Sequence, residues 1–188
     1  MVSLSMLRRP VFGAFLALAS AASLLPTSLA SQAACQADSP ATDPARAESM
    51  YQKAKSLMAK QSGWEGAAFR FERSARLRPW CDPEVFDSFM LAARLYDHLN
   101  KFEAARMDFE AAAENARRNG RIMDAATAYL DAALAAVQAD YQEGAVEAVR
   151  NAEALAQSPG LSEADRTAIM NRISILRGKG EDTPQPRR

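Results

Sequence analysis

The stretch "FMLAARLYDHLNKFEAARMDFEAAAE", residues 89–114, sets Phe89 three residues before Ala92 and Ala93, then Tyr96, Phe102, Ala105, Phe109 and Ala112. Offsets of 3 and 4 keep such residues on one face of a helix, so bulky rings project between small residues that let a second helix come close. Alanine dominates the 48% hydrophobic content, while the β-branched and aromatic enrichment that strands require is missing. The chain is therefore expected to be all-α. Its 188 residues are enough for one domain with appendages.

Working outward, the same arrangement recurs on both sides. Tyr51 stands before Ala54 and Tyr129 before Ala132, as Phe89 stands before Ala92. Each is followed by a second helix with a small-large-small series: Ala67, Phe71 and Ser74; Ala105, Phe109 and Ala112; Ala145, Val149 and Ala152. This pattern resembles the tetratricopeptide repeat, which carries an aromatic and a small pair in its first helix and Ala-x-x-x-Phe in its second. The first copy keeps Tyr51, Ala54, Met58, Trp64, Ala67, Phe71 and the late Pro79; in the third, Ala136 and Val149 replace aromatics. The first-helix aromatics stand 38 and 40 residues apart, against about 34 in that family, and longer loops between repeats are expected to absorb the difference.

The resemblance covers about residues 48–157 and implies an α-solenoid of about three helix pairs; an irregular helical bundle is the alternative. The last repeat of a stack needs its open face covered. "LSEADRTAIMNRISILRG", residues 161–178, supplies the cap: Ser162 pairs with Asp165 as a helix start, and Ile169, Ile173 and Leu176 form an apolar stripe. The expected organisation is a signal peptide over 1–33, a flexible lead-in over 34–46, the repeat domain with its cap over 47–177, and a disordered Gly- and Pro-bearing tail over 178–188. Asp43-Pro44 and Asp82-Pro83 read as helix starts, with Asp as N-cap and Pro at the first helical position.

The N-terminus is a basic "MVSLSMLRRP", an apolar run "VFGAFLALASAASLL" and small residues suited to cleavage after Ala30 or Ala33. This is the organisation of a secretory signal, and its apolar run, broken by Gly13, Ser20 and Ser23, falls short of the roughly 20 residues that a membrane-spanning helix needs. Arg8-Arg9 lacks the surroundings of a twin-arginine signal and reads as an ordinary basic segment. A periplasmic or secreted protein is expected.

Export gives the two cysteines meaning. Cys35 and Cys81 have no metal-ligand spacing, and in an oxidising compartment a disulfide between them would close a loop worth ~4 kcal/mol in chain entropy. Two other readings stand beside it: two free thiols, or a lipid anchor on Cys35, because "QAAC" resembles a lipoprotein signal, although Gln32 takes the place of the usual Leu. Membrane contact is expected only with that lipid.

One histidine, balanced charge with 23 basic and 23 acidic residues, and no Gly-rich phosphate loop leave little material for catalysis or nucleic-acid binding. No catalytic residue, metal site or cofactor is expected. His98 beside Asp97 is the sole titratable feature an enzyme of unrecognised type could use.

A stack of helix pairs offers a concave groove lined by its first helices. By the repeat alignment that groove should present Gln52, Ser56 and Lys60 from the first copy, Met90, Arg94, Asp97 and His98 from the second, and Leu130, Leu134 and Val137 from the third. Each has a plainer reading: the leucines and valine covered by a neighbouring helix, and Arg94 paired with Asp97 along one helix. The expected function is an exported interaction module holding an envelope protein or peptide in this groove. The alternative is a lipid-anchored structural subunit of an outer-membrane or secretion assembly.

Overall fold

The structure, a computed structural model, describes residues 42–181. The expected signal peptide, most of the lead-in, Cys35 and the last seven residues lie outside the described residues. Every regular element among the described residues is helical: α1 (Pro44–Met58), a 3-10 turn (Gln61–Gly63), α2 (Trp64–Arg76), α3 (Pro83–His98), α4 (Phe102–Arg118), α5 (Ile122–Gln138), α6 (Gln142–Ala156) and α7 (Glu163–Glu181). Each helix packs on its neighbours in sequence, which makes three stacked pairs, α1/α2, α3/α4 and α5/α6, with α7 closing the end against α5 and α6.

The predicted starts are used as starts. Asp43 Oδ1 accepts from the backbone N–H of Arg46 at 3.0 Å, and Asp82 Oδ1 from that of Glu84 at 2.9 Å, each with Pro at the first helical position. Ser162 Oγ accepts from the Asp165 N–H at 3.1 Å and donates to its carboxylate at 2.7 Å, so the serine hydroxyl caps the start of α7. The first helix starts at Pro44, at the expected Asp43-Pro44 pair. α7 runs to Glu181, past the expected end at residue 177.

The small residues of the three triplets are all buried, as are the paired alanines of the first helices: Ala54, Ala92 and Ala132 are inaccessible to solvent, and so are Phe71, Ser74, Ala112 and Ala152. Helices meeting over alanine come close enough for rings from neighbouring turns to fill the remaining space. Phe89, Phe109 and Tyr129 do this in one continuous core, and Phe71 with Ala67, Ala68 and Leu95 makes a second core under the first pair.

The extra length of the repeat sits elsewhere than expected. First helices begin at Pro44, Pro83 and Ile122, a spacing of 39 residues, but the connections at 99–101, 119–121 and 139–141 hold three residues each. The added residues lengthen the helices, and the loop at 77–82 is the longer connection between pairs. The short turns work because one residue adopts a left-handed conformation: Asn100 and Asp140 at φ 57° and Gly120 at φ 70°. The next residue's N–H then reaches back to a helix-end carbonyl, from Lys101 to Tyr96 at 2.8 Å, Arg121 to Ala116 at 2.9 Å and Tyr141 to Ala136 at 2.9 Å. The first pair turns differently. Its 3-10 segment brings Gly63 so near the Leu57 carbonyl oxygen that an added Cβ would lie 2.4 Å from it.

The 77–82 loop is held from several sides. Asn119 Nδ2 donates to the Trp80 carbonyl at 3.1 Å, and Asp43 N–H donates to Leu77 O at 2.9 Å. Arg78, its side chain 8% exposed, bonds Glu48 on α1 at 2.7 Å and Asp82 at 3.1 Å, and also pairs with Glu84. Cys81 in this loop is not a free thiol.

Candidate functional site

The first helices α1, α3 and α5 converge on a cleft of about 360 Å³. Its apolar lining is Tyr51 from α1 with Phe86, Met90 and Leu91 from α3, and Thr127 of α5 forms part of the opposite wall. Helical geometry dictates the lining of α3: residues 87, 90, 91 and 94 follow offsets of 3 and 4, so Asp87 and Arg94 stand at the two ends of one face with apolar side chains between them.

Most charges around the cleft are already matched. Arg121 bonds Asp124 at 2.7 Å and lies over the Phe86 ring, 4.3 Å from its centre. Arg78 and Lys55 both lie over Tyr51, at 6.0 and 5.6 Å. Burial holds the Tyr51 phenol above its ordinary range, reinforced by the carboxylates of Glu84 and Asp87, so Tyr51 stays a neutral hydroxyl. Asp87 and Arg94 are different: both are solvent-exposed, and neither makes an ion pair or hydrogen bond among the described residues.

The ten groove residues expected from the sequence therefore separate into groups. Met90 and Arg94 lie in the cleft, though Met90 is a buried floor residue with 6% exposure. Gln52, Ser56 and Lys60 are exposed on or just beyond α1; Gln52 bonds Glu48 at 2.8 Å, and Ser56 donates to the Lys53 carbonyl at 2.7 Å. Asp97 is half-buried and forms no pair with Arg94. His98 stacks at a tilt on Trp64, ring centres 5.8 Å apart, at the turn of the first pair. Trp64 in turn donates its indole N–H to the Met58 carbonyl at 3.2 Å, closing the end of α1.

The apolar end of the expected groove is not open. Leu130 is fully buried, in one core with Ile169 and Ile173 of α7. Arg172 of α7 reaches Asp131 on α5 at 2.6 Å and Arg177 reaches Glu153 on α6 at 2.5 Å, so two ion pairs hold the cap over this position. Leu134 and Val137 are half-buried. Val137 lines a separate groove of about 400 Å³ with Ala133, Val149 and Leu176, between the last pair and the cap.

Tyr51, Phe86, Asp87, Leu91 and Thr127 are cleft residues that the repeat alignment missed. Tyr51 is a repeat aromatic of the first copy by its spacing, and a ring both packs and lines a cleft when only one edge is covered. The available signal was the α3 face itself: extending Met90 and Arg94 by helical offsets reaches Asp87 and Leu91. Among the described residues no cluster of three or more His, Cys, Asp and Glu side chains is placed to hold a metal ion, and no helix is long and apolar enough to cross a membrane. No protein-family model, curated protein or solved structure matches the chain.

Proposed function

We propose that this chain is an exported, non-catalytic interaction module of the tetratricopeptide-repeat type, which holds a protein or peptide of the cell envelope in the cleft between α1, α3 and α5. The observation that carries the reading is the cleft: three first helices contribute an apolar lining, and two opposite charges at its ends are left without partners. Buried or half-buried apolar surface flanked by a few unmatched polar groups is what a binding site offers. Export rests on the basic, apolar and small-residue order of residues 1–33, and the Cys35–Cys81 disulfide on that compartment.

A second reading has its own support. Phe69, Met107 and Val146 on the second helices of the three pairs are 53%, 52% and 56% exposed. Exposed apolar side chains on that outer layer suit a structural subunit that contacts neighbours there, with Cys35 lipidated. Photo-crosslinking in intact cells separates the two. A benzophenone side chain at position 127 samples the cleft and one at position 69 samples the outer helices. Adducts from 127 and none from 69 support the cleft reading; the opposite pattern replaces it with the structural-subunit reading.

A further inference from the structure

The cleft's charge pattern specifies the chemistry of an occupant more narrowly than its shape does. Asp87 and Arg94 lie seven residues apart on α3, two helical turns, which is ~10 Å along the axis. Neither has an ionic partner among the described residues, while Asp124 and Arg121 satisfy each other on the facing side. Between the two free charges lie Met90 and Leu91, with the Tyr51 and Phe86 rings alongside. An extended chain advances about 3.3–3.6 Å per residue, so ~10 Å corresponds to about three residues. A cleft of about 360 Å³ is at the small end of the range for small-molecule sites.

We infer that the cleft binds a free, zwitterionic peptide of three to four residues, its terminal ammonium at Asp87, its terminal carboxylate at Arg94 and an apolar central side chain on Met90 and Leu91. This rests on the cleft reading and narrows its occupant. Terminal charges suit the site better than side-chain charges, because in an extended short peptide the separation of the two ends is set by the backbone. Thr127 contributes a hydroxyl on the opposite wall, which no protein group engages among the described residues and which can meet a peptide amide. An excess of one sign in the lining would favour a basic or acidic partner; among the residues that line the cleft one free charge of each sign remains, at fixed spacing, which favours a dipolar one, and Lys55 lies outside that lining over the Tyr51 ring.

The test is isothermal titration calorimetry on the intact purified protein with the tripeptide Ala-Leu-Ala, its N-acetyl form and its C-terminal amide. The free tripeptide should bind, and each capped form at least tenfold more weakly. Arg94→Gln should weaken the free tripeptide about tenfold and leave the amide unchanged; Asp87→Asn should do the same for the free tripeptide and the acetylated form. Both positions are exposed, so folding is expected to be retained, and circular dichroism checks that it is. Absence of binding by the free tripeptide, or equal binding by the capped forms, overturns the inference. If position 127 nevertheless crosslinks to an envelope protein, the cleft reading survives and only the short-peptide occupant is lost. If neither occurs, both fall.

Discussion

Ser74 donates its hydroxyl to the carbonyl oxygen of Ala47 at 2.8 Å, a buried bond between residues 27 apart that joins α2 to α1. The matching positions in the other pairs are Ala112 and Ala152, which are buried without any such bond. Serine thus meets the size requirement of the small-large-small series and adds a tie to the first helix, whose own buried side chains are only Ala47 and Ala54. Ser74→Ala should keep the packing and lose the bond. The expected cost is about 0.5–1.5 kcal/mol in urea unfolding.

Asp108 is 3% exposed on α4, and its Oδ2 has no hydrogen-bond partner. Burial, with the Glu72 carboxylate adding to it and Arg76 opposing, raises its carboxyl to about 7. The folded state thus holds a proton that the unfolded chain releases near pH 4. This group's contribution to stability should be fully present below about pH 4, fall as pH rises, and be lost above about 7, a loss on the order of 2 kcal/mol between pH 5 and pH 8. Asp108→Asn should flatten that profile and leave the protein more stable than wild type at pH 8. Parallel profiles for the two proteins, followed by urea titration, would assign the dependence to another group.

Much of the architecture was legible because it rests on local offsets. Alanine and aromatic spacing places residues on one helical face whatever their surroundings, and Asp-Pro and Ser-x-x-Asp are caps formed by neighbours in sequence. The cleft was legible in part for the opposite reason. Leu130 stands at the same register as Met90, yet α7, more than thirty residues away, covers one more fully than the α1 side covers the other. Periodicity says which way a side chain points from its own helix and nothing about what arrives from elsewhere. The short connection between the second and third pairs, at 119–121, carried the usual signal in Gly120, which takes the left-handed backbone there.

Leu130 is accordingly a core residue of the cap joint. Leu130→Ala should destabilise by about 2–5 kcal/mol, as expected for a fully buried leucine, and should leave crosslinking from position 127 unchanged at temperatures where the variant is folded. A mild stability loss with abolished crosslinking would return Leu130 to the binding surface.

The cysteines admit a direct measurement. Alkylation of the denatured, unreduced protein should label neither Cys35 nor Cys81, and reduction should expose both. Intact mass should then be two protons below that of the reduced chain. A diacylglycerol mass on the N-terminal fragment would replace the disulfide with the anchor.

Two glycines make opposite predictions from their surroundings. At Gly63 a Cβ would meet the Leu57 backbone oxygen at 2.4 Å, and because that atom belongs to a helix end it cannot step aside without opening the turn between α1 and α2. At Gly160 nothing lies within 4 Å of an added Cβ, and no left-handed backbone is needed there. Gly63→Ala should therefore cost roughly 1–3 kcal/mol, the range for a strained backbone site. Gly160→Ala should be neutral or stabilise by about 0.4–1 kcal/mol, since alanine narrows the unfolded ensemble. The comparison also probes the cleft. Tyr51 stands on α1, so a loosened first turn shifts one wall while Asp87 and Arg94 on α3 stay put. Thermal melts with and without Ala-Leu-Ala should show Gly160→Ala gaining as much from the peptide as wild type does, and Gly63→Ala gaining less.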